Sequence, residues 1–264
     1  MSVKLENVDV RLIDRGSGSP CLLLHGNPDT ADLWREVVSR LERDHRCLAP
    51  DLPGFGGSVV TGDFDCGLES MARFVDELVS ALGIDQPLNL AAHDFGGPFG
   101  LSWAIRHPHK VRRIAVMDTL YFADYRWHFW GRVWRTPWLG ELSMLLMNRW
   151  IFAWELCRGS RRLDARHIRE TWARVTPAMK RMVLRLYRAT DPANFAGWED
   201  EMLALTARVP TLAMWGGRDP YIPASYAERF GSARVRLFPD CGHWLPAEAA
   251  DEVSQELLGF FAGR

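Results

Sequence analysis

Asp94, Asp219 and His243 are the residues whose types and spacing could carry a reaction. Asp94 lies in Leu90-Ala91-Ala92-His93-Asp94-Phe95-Gly96-Gly97-Pro98, where an apolar run meets two glycines and then a helical pattern. A strand that turns at once into a helix strains the backbone at its reactive residue. It leaves room only for small side chains two before and two after, here Ala92 and Gly96. The central residue is aspartate, and no Gly-x-Ser-x-Gly occurs in the chain. A carboxylate is ionised at neutral pH and needs no base to activate it. It suits displacement at an sp3 carbon that carries a leaving group. The resulting alkyl ester on Asp94 must then be cleaved by water, which an imidazole can deprotonate.

Three further segments supply the rest. Leu24-His25-Gly26-Asn27-Pro28 follows an earlier strand, and the backbone N–H groups of Asn27 and Phe95 read as an oxyanion hole. Trp215-Gly216-Gly217-Arg218-Asp219-Pro220 follows a later strand, and Asp240-Cys241-Gly242-His243-Trp244 follows the last one. Loops at the carboxyl ends of strands are where open α/β sheets bind ligands. His243 is the histidine at such a strand end and would serve as a base; an acid beside it, Asp219 in preference to Asp118, would hold its tautomer and stabilise its cation. Taken singly, Asp94 reads equally as a helix N-cap and His25–Pro28 as an ordinary turn. Together they favour catalysis. Of the other histidines, His25 and His93 are expected to brace the turns.

These segments need elements to position them. Val8–Ile13 alternates like an edge strand. Short apolar runs at Cys21–Leu24, Arg46–Ala49, Leu88–Ala92, Val111–Met117, Thr211–Trp215 and Val235–Phe238 suit strands buried on both faces. Helical stripes lie between them at Leu68–Leu82, Pro98–Arg106, Ala224–Phe230 and Ala247–Phe261. The alternation predicts an α/β fold: a mostly parallel central sheet with helices on both faces. From about Leu120 to Trp198 no strand pattern occurs, and eight of the twelve tryptophans fall there. The reading is a core domain of residues 1–119 and 200–264, with a helical lid (cap) at 120–199.

The order nucleophile, acid, histidine is that of the α/β-hydrolase triad. The whole chain resembles that superfamily. Its His93-Asp94-Phe95-Gly96-Gly97 segment resembles the aspartate-nucleophile branch of epoxide hydrolases, haloalkane dehalogenases and fluoroacetate dehalogenases. The resemblance implies Asp94 as nucleophile, His243 as base and Asp219 as its orienting acid. Two leaving groups compete. Dehalogenases usually carry tryptophan after the nucleophile, where this chain has Phe95. His25-Gly26-Asn27-Pro28 nevertheless resembles their form, in which the Asn side chain holds halide. Epoxide hydrolases use two lid tyrosines to protonate the opening ring, and a phenol with pKa near 10 suits that task. Leu186-Tyr187-Arg188-Ala189 resembles their second-tyrosine segment. Tyr125 or Tyr121 could supply the first, although Arg126–Gly140 offers tryptophan there. Phe95 and Cys241-Gly242-His243-Trp244 also resemble epoxide hydrolases. Epoxide opening to a vicinal diol is the preferred reading, haloalkane dehalogenation the alternative, and a non-catalytic binding protein of the same fold a distant third.

Composition bounds the partners. Hydrophobic residues make up 47% and net charge is −1 over 264 residues, so the chain is globular and not built for nucleic acid. The arginine-rich stretch 158–174 contains Asp164 and Glu170 and reads as a solvated helix face. Five cysteines without a CxxC pair fit a reducing compartment. The N-terminus has no signal-peptide core, and the most apolar stretch, Leu142–Trp154, is too short to span a bilayer. The expectation is a soluble cytoplasmic enzyme with no cofactor, no metal, no membrane partner and a small apolar substrate. The lid's aromatic surface leaves a homodimer open, but lining an apolar pocket is its preferred use.

Overall fold

A computed structural model describes residues 1–231 and 233–263. The strands are β1 (Ser2–Lys4), β2 (Val8–Arg15), β3 (Ser19–Leu24), β4 (His45–Pro50), β5 (Val59–Val60), β6 (Leu88–His93), β7 (Val111–Met117), β8 (Thr211–Gly216) and β9 (Arg234–Phe238). They form a nine-stranded sheet in the order β1-β2-β4-β3-β6-β7-β8-β9, with β5 also on β2. From β4 to β9 every pairing is parallel; β2 runs antiparallel to β1, β4 and β5. The alternation of β2 predicts an edge strand. It is instead flanked on both sides, because β1, a three-residue strand with no period of its own, covers it.

The continuous apolar runs are the central strands. Every residue of β6 and β8 is buried, as helix-covered parallel strands require. α1 (Arg35–Leu41) and α11 (Ala250–Phe261) pack on one face. α2 (Leu68–Ala81) and α3 (Gly96–Arg106) pack on the other. The α2 stripe of Met71, Phe74, Val75, Leu78 and Val79 is buried as its spacing predicts. Each such side chain contributes about 1.5–3 kcal/mol relative to exposure. The segment 224–230 forms a 3-10 turn (Ala224–Arg229) rather than an α-helix. The C-terminal stripe splits into α10 (Leu245–Glu248) and α11, with Ala249 between them in a non-helical conformation.

Between β7 and β8 the chain is helical: α4 (Phe129–Arg135), α5 (Leu139–Leu146), α6 (Arg149–Gly159), α7 (Ala165–Arg174), α8 (Pro177–Ala189) and α9 (Trp198–Thr206). His128, Asn148, Asp164 and Thr176 cap α4, α6, α7 and α8 through their side chains. The expected boundary between residues 199 and 200 cuts the first turn of α9. This helix packs on α3, where the Arg106 guanidinium lies 3.9 Å over the Trp198 ring and 2.7 Å from Glu201. α7 is tied to the loop after β3. Asp29 lies 3.0 Å from His167 Nε2 and accepts Thr171 Oγ1 at 3.1 Å; Glu170 pairs with Arg35 at 3.0 Å. Among the described residues no helix is long and apolar enough to cross a membrane.

Candidate active site

Among the described residues Asp94 is one of four non-glycine residues with positive φ, at +49°. Its backbone is pinned there. Its N–H donates to the Met117 carbonyl at 3.2 Å, and its own carbonyl accepts Gly97 N–H at 2.9 Å and Thr119 Oγ1 at 2.6 Å. Neighbouring glycines are sterically required. A Cβ on Gly96 would stand 2.3 Å from the Leu24 carbonyl oxygen; on Gly97, 1.8 Å from Thr119 Oγ1; on Gly26, 2.1 Å from Asp94 Oδ1. This is the strained strand-to-helix turn that the sequence predicts.

The carboxylate has two differently placed oxygens. Oδ1 accepts Asn27 N–H at 2.6 Å, and Oδ2 lies 3.5 Å from His243 Nε2. Burial alone would raise the Asp94 pKa, but His243, His93 and the Phe95 N–H together hold it below the usual value. Asn27 and Phe95 thus bear on the carboxylate from the hole assigned to them.

His243 Nδ1 meets Asp219 Oδ2 at 2.8 Å. Asp219 Oδ1 is fixed by the N–H groups of Tyr221 at 2.7 Å and Ile222 at 3.1 Å. The imidazole is buried, which lowers its pKa; the two facing carboxylates outweigh that and hold it well above 6.5. Asp118 does not reach the ring. Its Oδ1 accepts Gly216 N–H at 2.8 Å, and its buried Oδ2 has no partner. Burial, then the Asp219 charge, raise its pKa well above the usual range. The geometry therefore assigns the acid to Asp219.

The loops themselves are braced. His93 Nε2 lies 2.7 Å from the His243 carbonyl, and burial pushes its pKa to about 4. His25 Nε2 accepts Leu52 N–H at 2.9 Å. Both histidines brace turns, as expected. Glu248, which sequence reasoning missed, receives the N–H groups of Gly242 at 2.8 Å and Trp244 at 3.0 Å, on either side of the base. Its signal was weak: an acid five residues past the histidine, inside a helical pattern.

Asp94 and His243 open into a cavity of about 830 Å³, mouth included, roofed by α4, α5, α6 and α8. Its wall is aromatic. The Tyr187 ring is edge-on to Phe95 at 4.9 Å and lies 4.8 Å from both Trp127 and Trp134. The expected tyrosines divide sharply. Tyr187 takes only a 3.4 Å contact from Asn27 Nδ2, and burial raises its pKa well above 10. Tyr125 lines the same cavity, but its hydroxyl donates to the Tyr221 carbonyl at 3.0 Å, which leaves no proton for a substrate. Tyr121 is fully buried against Ser102 Oγ at 2.9 Å. Tyr221 donates to Glu155 Oε1 at 2.9 Å.

In the sequence His128 carries no more than the default reading of a lone histidine. In the structure it lines the cavity, 5.0 Å from the Tyr221 ring and 6.0 Å from Tyr187. Its Nδ1 accepts Gly131 N–H at 3.3 Å. Burial brings its pKa to about 4, so the ring is neutral near pH 7 and carries its proton on Nε2. Its position just before α4 was the available signal. Among the described residues no group of three His, Cys, Asp or Glu stands where it could hold a metal ion.

Residues 20–250 match the alpha/beta hydrolase fold family. A cis-3-alkyl-4-alkyloxetan-2-one decarboxylase from Shewanella oneidensis is 27% identical over 94% of this chain and 83% of its own. Haloalkane dehalogenase 2 from Mycobacterium bovis is 27% identical over 96% of this chain and 91% of its own. A solved structure of a point mutant of a Pseudomonas aeruginosa protein, described as a putative epoxide hydrolase, superposes with a TM-score of 0.84. It is 23% identical and covers 99% of this chain and 94% of that one, a likeness of fold. By strand order, strained elbow and family match, the chain belongs to the α/β-hydrolase fold family, with aspartate at the turn between β6 and α3.

Proposed function

We propose that the protein hydrolyses epoxides to vicinal diols through an alkyl ester on Asp94. One observation carries the reading. Of the three tyrosines lining the cavity, only Tyr187 has a hydroxyl proton not engaged by a protein acceptor. Tyr187 and the Nε2–H of His128 supply donors for a ring oxygen. With Asp94 Oδ1 in the hole, Oδ2 attacks a ring carbon and the carbon–oxygen bond breaks. The ring oxygen takes the Tyr187 proton, and the phenolate is reprotonated before the next turnover. Alkylation removes the Asp94 charge. The Asp94 carboxylate, one of the two charges that raise the His243 pKa, is then neutral, so the imidazole pKa falls. Water deprotonated by His243 adds to the ester carbon, and the oxyanion falls on Oδ1, facing the N–H groups of Asn27 and Phe95. Collapse expels the alkoxide, which takes back the proton that His243 drew from water, and the diol leaves. Esterase activity is disfavoured, since an aspartate nucleophile attacking an ester would leave a mixed anhydride.

Halide displacement is the second reading. The indole N–H groups of Trp127 and Trp134, in the cavity wall, have no partner and suit an anion. A relative bears the name haloalkane dehalogenase. Purified protein should form diol from styrene oxide and release little bromide from 1-bromobutane. Bromide without diol would reverse the assignment. His243→Gln should accumulate an Asp94 peptide heavier by the mass of the substrate. An unmodified peptide, with wild type turning over the same substrate, would rule out the covalent route.

A further inference from the structure

On the covalent route proposed above His243 acts as a base only on the ester. Resting on that route, we infer that the last turn of α6 positions the base, Glu155 acting through Tyr221 and Gly159 through the His243 backbone. Glu155 is a buried carboxylate in the cavity wall, beside Phe152 and Leu156. A charge in such a place is costly unless it is paired and hydrogen-bonded. Arg158 Nε donates to its Oε2 at 2.9 Å, and the Tyr221 hydroxyl donates to its Oε1 at 2.9 Å. The Arg158 guanidinium also lies 5.3 Å over the Tyr221 ring.

Tyr221 links this cluster to the loops that carry Asp219 and His243. Its N–H donates to Asp219 Oδ1 at 2.7 Å, and its ring meets the His243 ring edge-on, with centroids 5.0 Å apart. A hydroxyl anchored on α6 therefore holds a ring packed against the imidazole, while the same residue's backbone holds the acid behind it. The second tie is independent of any side chain. The Gly159 carbonyl, at the end of α6 and so without a partner inside the helix, accepts the His243 N–H at 3.1 Å. Both chains are glycine where they touch. A Cβ on Gly242 would stand 2.1 Å from that carbonyl oxygen, and one on Gly159 would stand 2.4 Å from the Trp244 ring and 2.7 Å from the Tyr221 hydroxyl oxygen. The roof helix thus meets the base at two points, one through a buried carboxylate and one through the main chain.

A misplacement of about 1 Å can cost on the order of 10²-fold in rate, so loosening one of two ties should cost about tenfold. Tyr221→Phe deletes one hydroxyl and keeps both the ring and the N–H on Asp219. Rapid-quench single turnovers of the full chain with styrene oxide read the formation and the decay of the alkylated Asp94 peptide separately. In Tyr221→Phe and in Glu155→Ala, decay should slow about tenfold and formation far less. Glu155→Gln keeps an oxygen for the Tyr221 hydroxyl and should recover most of the decay rate that Glu155→Ala loses. Equal slowing of both steps, unchanged decay in folded Tyr221→Phe, or no recovery in Glu155→Gln would overturn the inference. His243→Gln separates this from the route beneath it. With alkylated Asp94 accumulating there, such a failure falls on α6 alone; without it, the covalent route falls and the positioning role with it.

Discussion

The loops at the strand ends and the aromatic roof face the same cavity but are held by different physics. Asp94, Asp219 and His243 follow β6, β8 and β9, and nearly every contact that fixes them is a hydrogen bond of 2.6–3.2 Å to backbone. The roof positions Tyr187 and His128 mainly by ring packing, with centroids 4.8–6.0 Å apart and two indole N–H groups left without partners. Hydrogen bonds demand direction and leave one arrangement. Packed rings tolerate several as long as volume is kept. Under the proposed function the difference separates the reaction step from substrate choice: the loops would fix what bond is made, and the roof which molecule is presented.

Exchanging the two buried acids should break the loops most sharply. Asp219→Asn removes the charge on His243 Nδ1 and should lower kcat by on the order of 10³–10⁴. Asp118→Asn keeps an oxygen for the Gly216 N–H and leaves the Asp219–His243 contact in place, so kcat should stay within several-fold of wild type. Equal losses from the two, in steady-state rates on one substrate, would show that the acids share the task.

A smaller effect is expected in the roof. Tyr187→Phe should slow formation of the alkyl-enzyme about 10- to 100-fold, roughly 1.4–2.7 kcal/mol of barrier. Tyr125→Phe, whose proton already rests on the Tyr221 carbonyl, should change it little. Single-turnover kinetics separates ring opening from ester hydrolysis. A larger loss in Tyr125→Phe than in Tyr187→Phe would reverse their roles.

The seam between the regions should show in stability, with the smallest magnitude. Burial lowers the His167 pKa, but the Asp29 charge more than offsets it and raises it above 6.5. A raised folded value contributes stability that is complete below the unfolded pKa and lost as pH rises through the folded one. His167→Gln should therefore cost about 1–3 kcal/mol near pH 5.5 and progressively less toward pH 9. Urea midpoints at the two pH values measure this. A pH-independent difference would mean that packing, and not the ion pair, joins α7 to the core.

Much of the core was readable because its constraints are local. Gly26, Gly96 and Gly97 stand where a Cβ would collide within 2.3 Å, so residue type alone marks the turn. The apolar runs of β6 and β8 announce two buried faces. β1 escaped notice because three alternating residues carry no period, and the interior position of β2 followed from it. In the roof, the helical stripes were legible while the tasks of single side chains were not.

The primary structure by itself determined the elbow, the order of the candidate catalytic residues and the parallel core, because sterics and periodicity act over a few neighbouring residues. Only the tertiary structure decided that Asp219 and not Asp118 meets His243 and that the Tyr125 hydroxyl is occupied by a carbonyl 96 residues away. For Tyr125 and His243, where a proton rests depends on which acceptor the fold brings within 3 Å, and that acceptor comes from a distant part of the chain.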